Sequence, residues 1–299
     1  MKHFADILRA QTIDVDKAYK DLHYMFYQQP VLLSGSPLWR YINKEFCKLN
    51  SQGNSISLDD FDRKNNLNFY NPQKAIETAD LVLFCEYLTF FCRQTTGFVF
   101  LHEAQKQSEL ILKQIKETIK LLHYQEIKQN GVAVYVPQSP ETEAAVAFFT
   151  DDNLKNNLLF YNHPSLKGNL EEKIKILNCM ARDLEPKRHQ IKSLNQKLET
   201  DIFSIFNNCN IRHNNDTPEY EKKYNQNFAS LDDCNKEKIY DYLYRCCLIA
   251  YIELQNANIQ QSSAVVNSFF GLGTYSHSKL YQIRSEKCTI LGQFLRCFS

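Results

Sequence analysis

Apolar residues along this chain recur mostly at steps of three and four, the spacing that puts them on one face of a helix. The clearest stretch follows Pro186. There Ile191, Leu194, Leu198, Ile202, Ile205 and Cys209 share a face and predict a helix over 187–210. Before it, Asn169 with Glu172 three residues on forms a capping-box-like start for a helix to about Leu184. After it, Ile239, Leu243, Cys246, Ala250 and Leu254 predict a long helix over 231–258, capped by Ser230 with Asp233.

The first half carries the same period. Asn71-Pro72 reads as an N-cap and first helical residue, opening a helix to about Gln94 that is apolar on more than one face and so expected to be buried. Ile111, Ile115, Ile119 and Leu122 predict an amphipathic helix over 101–128, ended by Gly131. Ser139-Pro140-Glu141 opens a short helix through Phe149, and 151–168 reads as a short helix followed by a loop at Asn162-His163-Pro164. The exception is Val132–Val136, a β-branched patch closed by Pro137, which reads as a lone strand or an extended connector. The pattern thus predicts an all-α helical bundle with at most one short strand or hairpin. It divides into a helical accessory region (1–138), a helical bundle (139–260) and a tail (261–299). The tail turns to Ser262-Ser263, Gly271 and Gly273, and Leu280, Ile283, Ile290 and Phe294 make one weak helix there.

Composition narrows this further. Gly and Pro number 8 each, too few to turn the many short strands of a sandwich or barrel. With 43% hydrophobic and 23% charged residues there is ample mass for a core, which excludes wholesale disorder. The net charge of +1 excludes a protein that coats long nucleic acid by phosphate contacts, but leaves room for a local cationic site. The 10 cysteines include no C-x-x-C pair, and several sit in apolar helical stretches, so they read as reduced core thiols. Residues 1–20 carry no apolar run, and the most apolar segment, Leu81 to Cys92, holds Glu86 and is too short to span a bilayer. The expectation is a soluble cytoplasmic protein with no membrane association.

Few constellations promise chemistry. No phosphate loop, dinucleotide fingerprint, H-E-x-x-H or G-x-S-x-G occurs, and Gly271-Leu272-Gly273 reads as a turn. Glu77, Asp80 and Glu86 have no histidine at ligand spacing and read as solvated or paired carboxylates, so neither metal nor cofactor is expected. His23, His102, His123 and His163 stand isolated and read as surface or satisfied residues. The informative segment is Asn207-Asn208-Cys209-Asn210-Ile211-Arg212-His213-Asn214-Asn215, between two helices. It gathers amide donors and acceptors, one permanent charge and one titratable imidazole, the ingredients for holding a phosphate and moving a proton. Taken alone, such a run is also an ordinary polar connection that caps its neighbours.

This arrangement resembles the HEPN superfamily (higher eukaryotes and prokaryotes nucleotide-binding), helical domains of toxin–antitoxin, abortive-infection and CRISPR-associated proteins. The family motif is an Arg, a polar residue, and a His after four to six intervening positions, near the junction of two long helices. Arg212 matches the Arg and His213 the polar residue. The closing position falls on Thr217, Pro218 or Glu219, none of them His. Arg182 and His189 match the literal spacing, with Pro186 between them. The resemblance covers about 139–260. It implies an RNA-binding protein of a prokaryotic defence or toxin-type system, with metal-independent endoribonuclease activity as the family chemistry. Arg212 and His213 would then be catalytic, and Asn208, Asn214, Asn215, Arg182 and His189 would contact substrate. It also implies a homodimer with a composite site that buries the 187–210 and 231–258 helices together, and an antitoxin or other protein partner. Tyr240, Tyr244 and Tyr251 form a stripe suited either to stacking on bases or to the core. The alternative is a non-catalytic helical interaction and dimerisation module.

Overall fold

The computed structural model describes residues 13–270 except 33–34, 50–52, 72–74, 96–101, 148 and 221–222, with the backbone alone at 220 and 264–270. Among the described residues the fold is all-α with one two-stranded hairpin. The helices are α1 (Val15–His23, running on into a π-turn at Tyr24–Gln28), α2 (Leu38–Lys44), α3 (Leu58–Lys64), α4 (Thr78–Gln94) and α5 (His102–Leu121). The hairpin β1 (Tyr124–Gln129) and β2 (Val132–Pro137) comes next. Then follow α6 (Pro140–Val146), α7 (Asp152–Phe160), α8 (Leu170–Leu184), α9 (Arg188–Leu194), α10 (Gln196–Asn208), α11 (Gln226–Ala229) and α12 (Asp233–Phe270).

Helix starts follow capping chemistry. The side chains of Asp14, Ser57, Ser139, Asp151, Asn169, Asn195 and Asn225 each accept an amide of the first turn. Four boundaries differ from the sequence expectation. Helix α4 starts at Thr78, not at Asn71-Pro72, because Glu77 and Asp80 close a reciprocal capping box. Pro72 itself lies outside the described residues. Helix α5 stops at Leu121, with His123 left-handed at φ 57°, and 124–129 becomes a strand. The reason is Asn130-Gly131, both at positive φ (51° and 82°), a two-residue hairpin turn that pairs Gln129 with Val132. The stripe after Pro186 is two helices, broken where Asn195 turns extended (φ −155°, ψ 91°) to cap α10, and Leu194 is left exposed. At α12 the cap is Asp232, whose carboxylate accepts the Asn235 amide at 2.7 Å, while Ser230 bonds to the Asn227 carbonyl.

The buried side chains form two clusters. One runs from Tyr19 to Ile119 and includes Phe26, Phe46, Phe84 and Phe91; the other runs from Ala145 to Leu254 around α8, α10 and α12. The hairpin serves both: Tyr135 packs in the first, Ile127 and Val136 in the second. Glu86 of α4 joins them, since its Oε1 accepts the Tyr135 amide at 2.6 Å and His163 Nε2 at 2.8 Å. Helix α12 is buried on nearly every side over Tyr240–Leu254, packed against α8, α9 and α10 of the same chain. Tyr240, Tyr244 and Tyr251 are therefore core residues, and Tyr161 stacks on Tyr244 at 4.0 Å. No base can reach them.

Cys85, Cys92, Cys246 and Cys247 are buried free thiols, and burial pushes the Cys92 thiol up to about 12. Cys288, Cys297, Gly271 and Gly273 and the weak helix expected around Leu280–Phe294 lie outside the described residues. Among the described residues, no helix is long and apolar enough to cross a membrane.

Candidate functional site

The polar connection between α10 and α12 is folded by its own amides. Helix α10 ends at Asn208, and Asn210 takes the left-handed conformation (φ 57°) that asparagine tolerates better than most residues. The Arg212 amide reaches back to the Phe206 carbonyl (3.2 Å), and Ile211 is buried as an anchor. Asn210 and Asn215 then clasp each other. The Asn210 amide donates to Asn215 Oδ1 (2.9 Å), and the Asn215 amide donates to Asn210 Oδ1 (3.3 Å). Asn215 Nδ2 donates to the Lys223 carbonyl, the Asn225 amide donates to the Asn215 carbonyl, and Asn225 Nδ2 donates to the Asn208 carbonyl. These bonds hold 207–215 against 223–227 and leave a cavity of about 560 Å³ between them.

Seven of the cavity's lining groups matter chemically. The Asn208 Oδ1, Gln226 and Asn227 side chains carry no hydrogen bond among the described residues, and neither do the Lys223 ammonium, the His213 imidazole and the Tyr224 hydroxyl. Asn207 keeps its amide NH2 free as well. Among the described residues, no carboxylate lines the cavity. The His213 pKa lies below the ordinary imidazole value, first through burial and then through the charges of Lys223 and Arg212. Among the described lining residues the fixed charge is therefore positive, carried by Lys223.

The expected site residues divide. Asn208 and His213 line the cavity with groups free to bind. Asn215 lines it too, but is buried with both ends of its side-chain amide bonded to the backbone, so it shapes the cavity instead of contacting a ligand. Asn214 faces solvent, its Oδ1 accepting the Thr217 amide. Arg212 is outside the lining. Its Nη1 pairs with Glu185 Oε2 at 2.5 Å and touches Asn207 Oδ1 at 3.4 Å. Arg182 and His189 sit exposed at the end of α8 and the start of α9, and neither lines the cavity. Lys223, Tyr224, Gln226 and Asn227 were missed. The signal for them was the polar run itself, which continues past Asn215 to Asn227 and includes Lys222, Lys223, Tyr220 and Tyr224 among its amides and carboxylates. Among the described residues, no group of His, Cys, Asp and Glu is arranged to hold a metal. The chain matches no protein-family model, no curated protein and no solved structure.

Proposed function

We propose that the chain is a HEPN-like RNA-binding protein that holds an unpaired nucleotide in the 207–227 cavity and does not cut it. The carrying observation is the lining among the described residues: free amides with donors and acceptors together, one ammonium, one imidazole, one exposed ring and no carboxylate. Amides read base edges, the Tyr224 ring offers a stacking face, and Lys223 meets a phosphate. A duplex hides base edges and ring faces alike, so the cavity suits single strands. The resemblance of Arg212-His213 to the HEPN motif supports RNA over other polar anions, and the defence or toxin setting rests on that resemblance alone.

The geometry argues against cleavage by one chain. The family chemistry asks Arg212 to hold the scissile phosphate, and here Glu185 neutralises it outside the cavity. His213 supplies one proton-transfer group where acid and base are both needed. A homodimer that buries α9, α10 and α12 together is disfavoured, because their apolar faces already pack on each other within the chain. The second reading, an interaction module, draws on the Asn210–Asn215 clasp, which gives the connection a fixed shape suited to docking.

A fluorescent single-stranded RNA titrated with wild type, Lys223→Ala and Tyr224→Ala separates the two. The RNA reading predicts binding by wild type, weakening of about tenfold in each variant, and a much weaker response to duplex of the same sequence. Equal affinity for all three proteins, or none for any, leaves the interaction module.

A further inference from the structure

His163, isolated in the sequence, sits in a line of three side chains that the fold assembles. It lies just before a 3-10 turn at Pro164–Leu166, and its side chain is 3% exposed. Nε2 is 2.8 Å from Glu86 Oε1, whose side chain is 13% exposed. Nδ1 is 2.7 Å from Ser165 Oγ and accepts the Ser165 amide at 3.2 Å. The Phe160 ring stacks on the imidazole at 4.8 Å and fixes its plane.

The tautomer follows from these bonds. An Nδ1 that accepts a backbone N–H carries no proton in the neutral ring, so Nε2 carries it and donates to the Glu86 carboxylate. The Nδ1 lone pair is shared between the Ser165 amide at 3.2 Å and the closer Ser165 hydroxyl at 2.7 Å, while the Glu86 carboxylate holds the ring through Nε2. Ser165 is exposed to solvent. A hydroxyl on a base, with the base oriented by a buried carboxylate, is the nucleophile arrangement recognised by roles and distances and not by sequence order.

We propose that Ser165 is a base-activated nucleophile, an acceptor for the acyl group of activated carboxylic esters. Ser165 Oγ attacks the ester carbonyl carbon and the Oγ–C bond forms. The hydroxyl proton passes to His163 Nδ1, and the bond from that carbon to the leaving oxygen breaks. The leaving group departs as an alkoxide or phenolate, and the imidazolium returns its proton to it or to water. Glu86 is a positioning residue that acts through His163.

The full-length chain is incubated with p-nitrophenyl acetate and acetylation is mapped by peptide mass spectrometry. Ser193 and Ser262 are internal controls: both are exposed, but their hydroxyls donate to backbone carbonyls, which take no proton. Ser165 is expected to acetylate about a hundredfold faster than either. The rate at Ser165 should fall in D2O, since a proton moves during attack. Glu86→Gln, which keeps a hydrogen-bond acceptor for Nε2, should slow Ser165 about tenfold and leave the controls unchanged, with helix content as in wild type. Ser165→Ala should abolish the fast phase of p-nitrophenolate release. Acetylation of Ser165 at the rate of Ser193 and Ser262, or a rate at Ser165 unchanged in D2O, overturns the proposal. An unchanged rate in Glu86→Gln removes Glu86 from it.

Discussion

Between Asn207 and Asn227 the hydrogen bonds close over short stretches of chain: Asn210 to Asn215, Asn215 to Lys223, Asn208 to Asn225. The Glu86–His163–Ser165 line joins residues 77 positions apart and sits under both core clusters. The first region is a wet junction whose free groups face a cavity. The second is a largely buried line, with the His163 side chain 3% and the Glu86 side chain 13% exposed, that ends at the exposed residue Ser165. The difference teaches where polar groups gain strength. In the junction, water competes for each amide, so single side chains matter more for binding than for stability. At the buried His163 little water can replace a lost partner, so deleting Glu86 costs the desolvation of what it leaves behind.

The largest effect separating the regions is expected from Glu86→Ala. It strips the acceptor from two donors, the Tyr135 amide and His163 Nε2, and should lower unfolding free energy by about 3 kcal/mol in a denaturant titration. A loss no larger than that of an exposed residue would erase the contrast. Asn215→Ala comes next. Among the described residues it is the one junction amide that is buried, with both ends bonded, and its loss is expected to cost about 2 kcal/mol and to weaken RNA binding by deforming the cavity.

The charge of His213 then sharpens the account of the wet side. Its folded pKa is lowered, so the folded protein takes up fewer protons than the unfolded chain as pH falls through the ordinary imidazole range. Its contribution to stability is therefore lost on acidification, while a phosphate in the cavity favours its protonated form. RNA affinity should rise between about pH 7.5 and about pH 5.5, and His213→Ala should flatten that rise. The smallest effect is expected for Arg212→Ala. Its pair with Glu185 is partly exposed (30% and 39%), so stability should change by about 0.5 kcal/mol or less, with RNA affinity unchanged.

The two regions were unequally legible in the sequence. Helical periodicity gave the all-α fold, because apolar spacing is a local signal that α8, α10 and α12 carry openly. It failed at Tyr124–Gln129, which the expected helix over 101–128 had included and on which Asn130-Gly131 imposed a hairpin. The junction announced itself through local composition, and Asn208 and His213 were found that way. Arg212 was placed in the site by its type and motif position, but its pairing with Glu185, 27 residues away, is a tertiary fact. His163 could not be recognised because its carboxylate lies on α4, brought beside it only when the two clusters share the hairpin. Tyr240, Tyr244 and Tyr251 kept a helical stripe whether they faced bases or core, and burial alone decides between the two.

The most direct test follows one labelled single-stranded RNA in EDTA, read for both binding and length, with wild type, the double variant Lys223→Ala/Tyr224→Ala, and Arg212→Ala. The account predicts that wild type and Arg212→Ala bind alike, that the double variant loses tenfold or more (about 1.4 kcal/mol or more), and that the RNA stays intact throughout. Undiminished binding by the double variant, or cleavage that vanishes in Arg212→Ala, would contradict it.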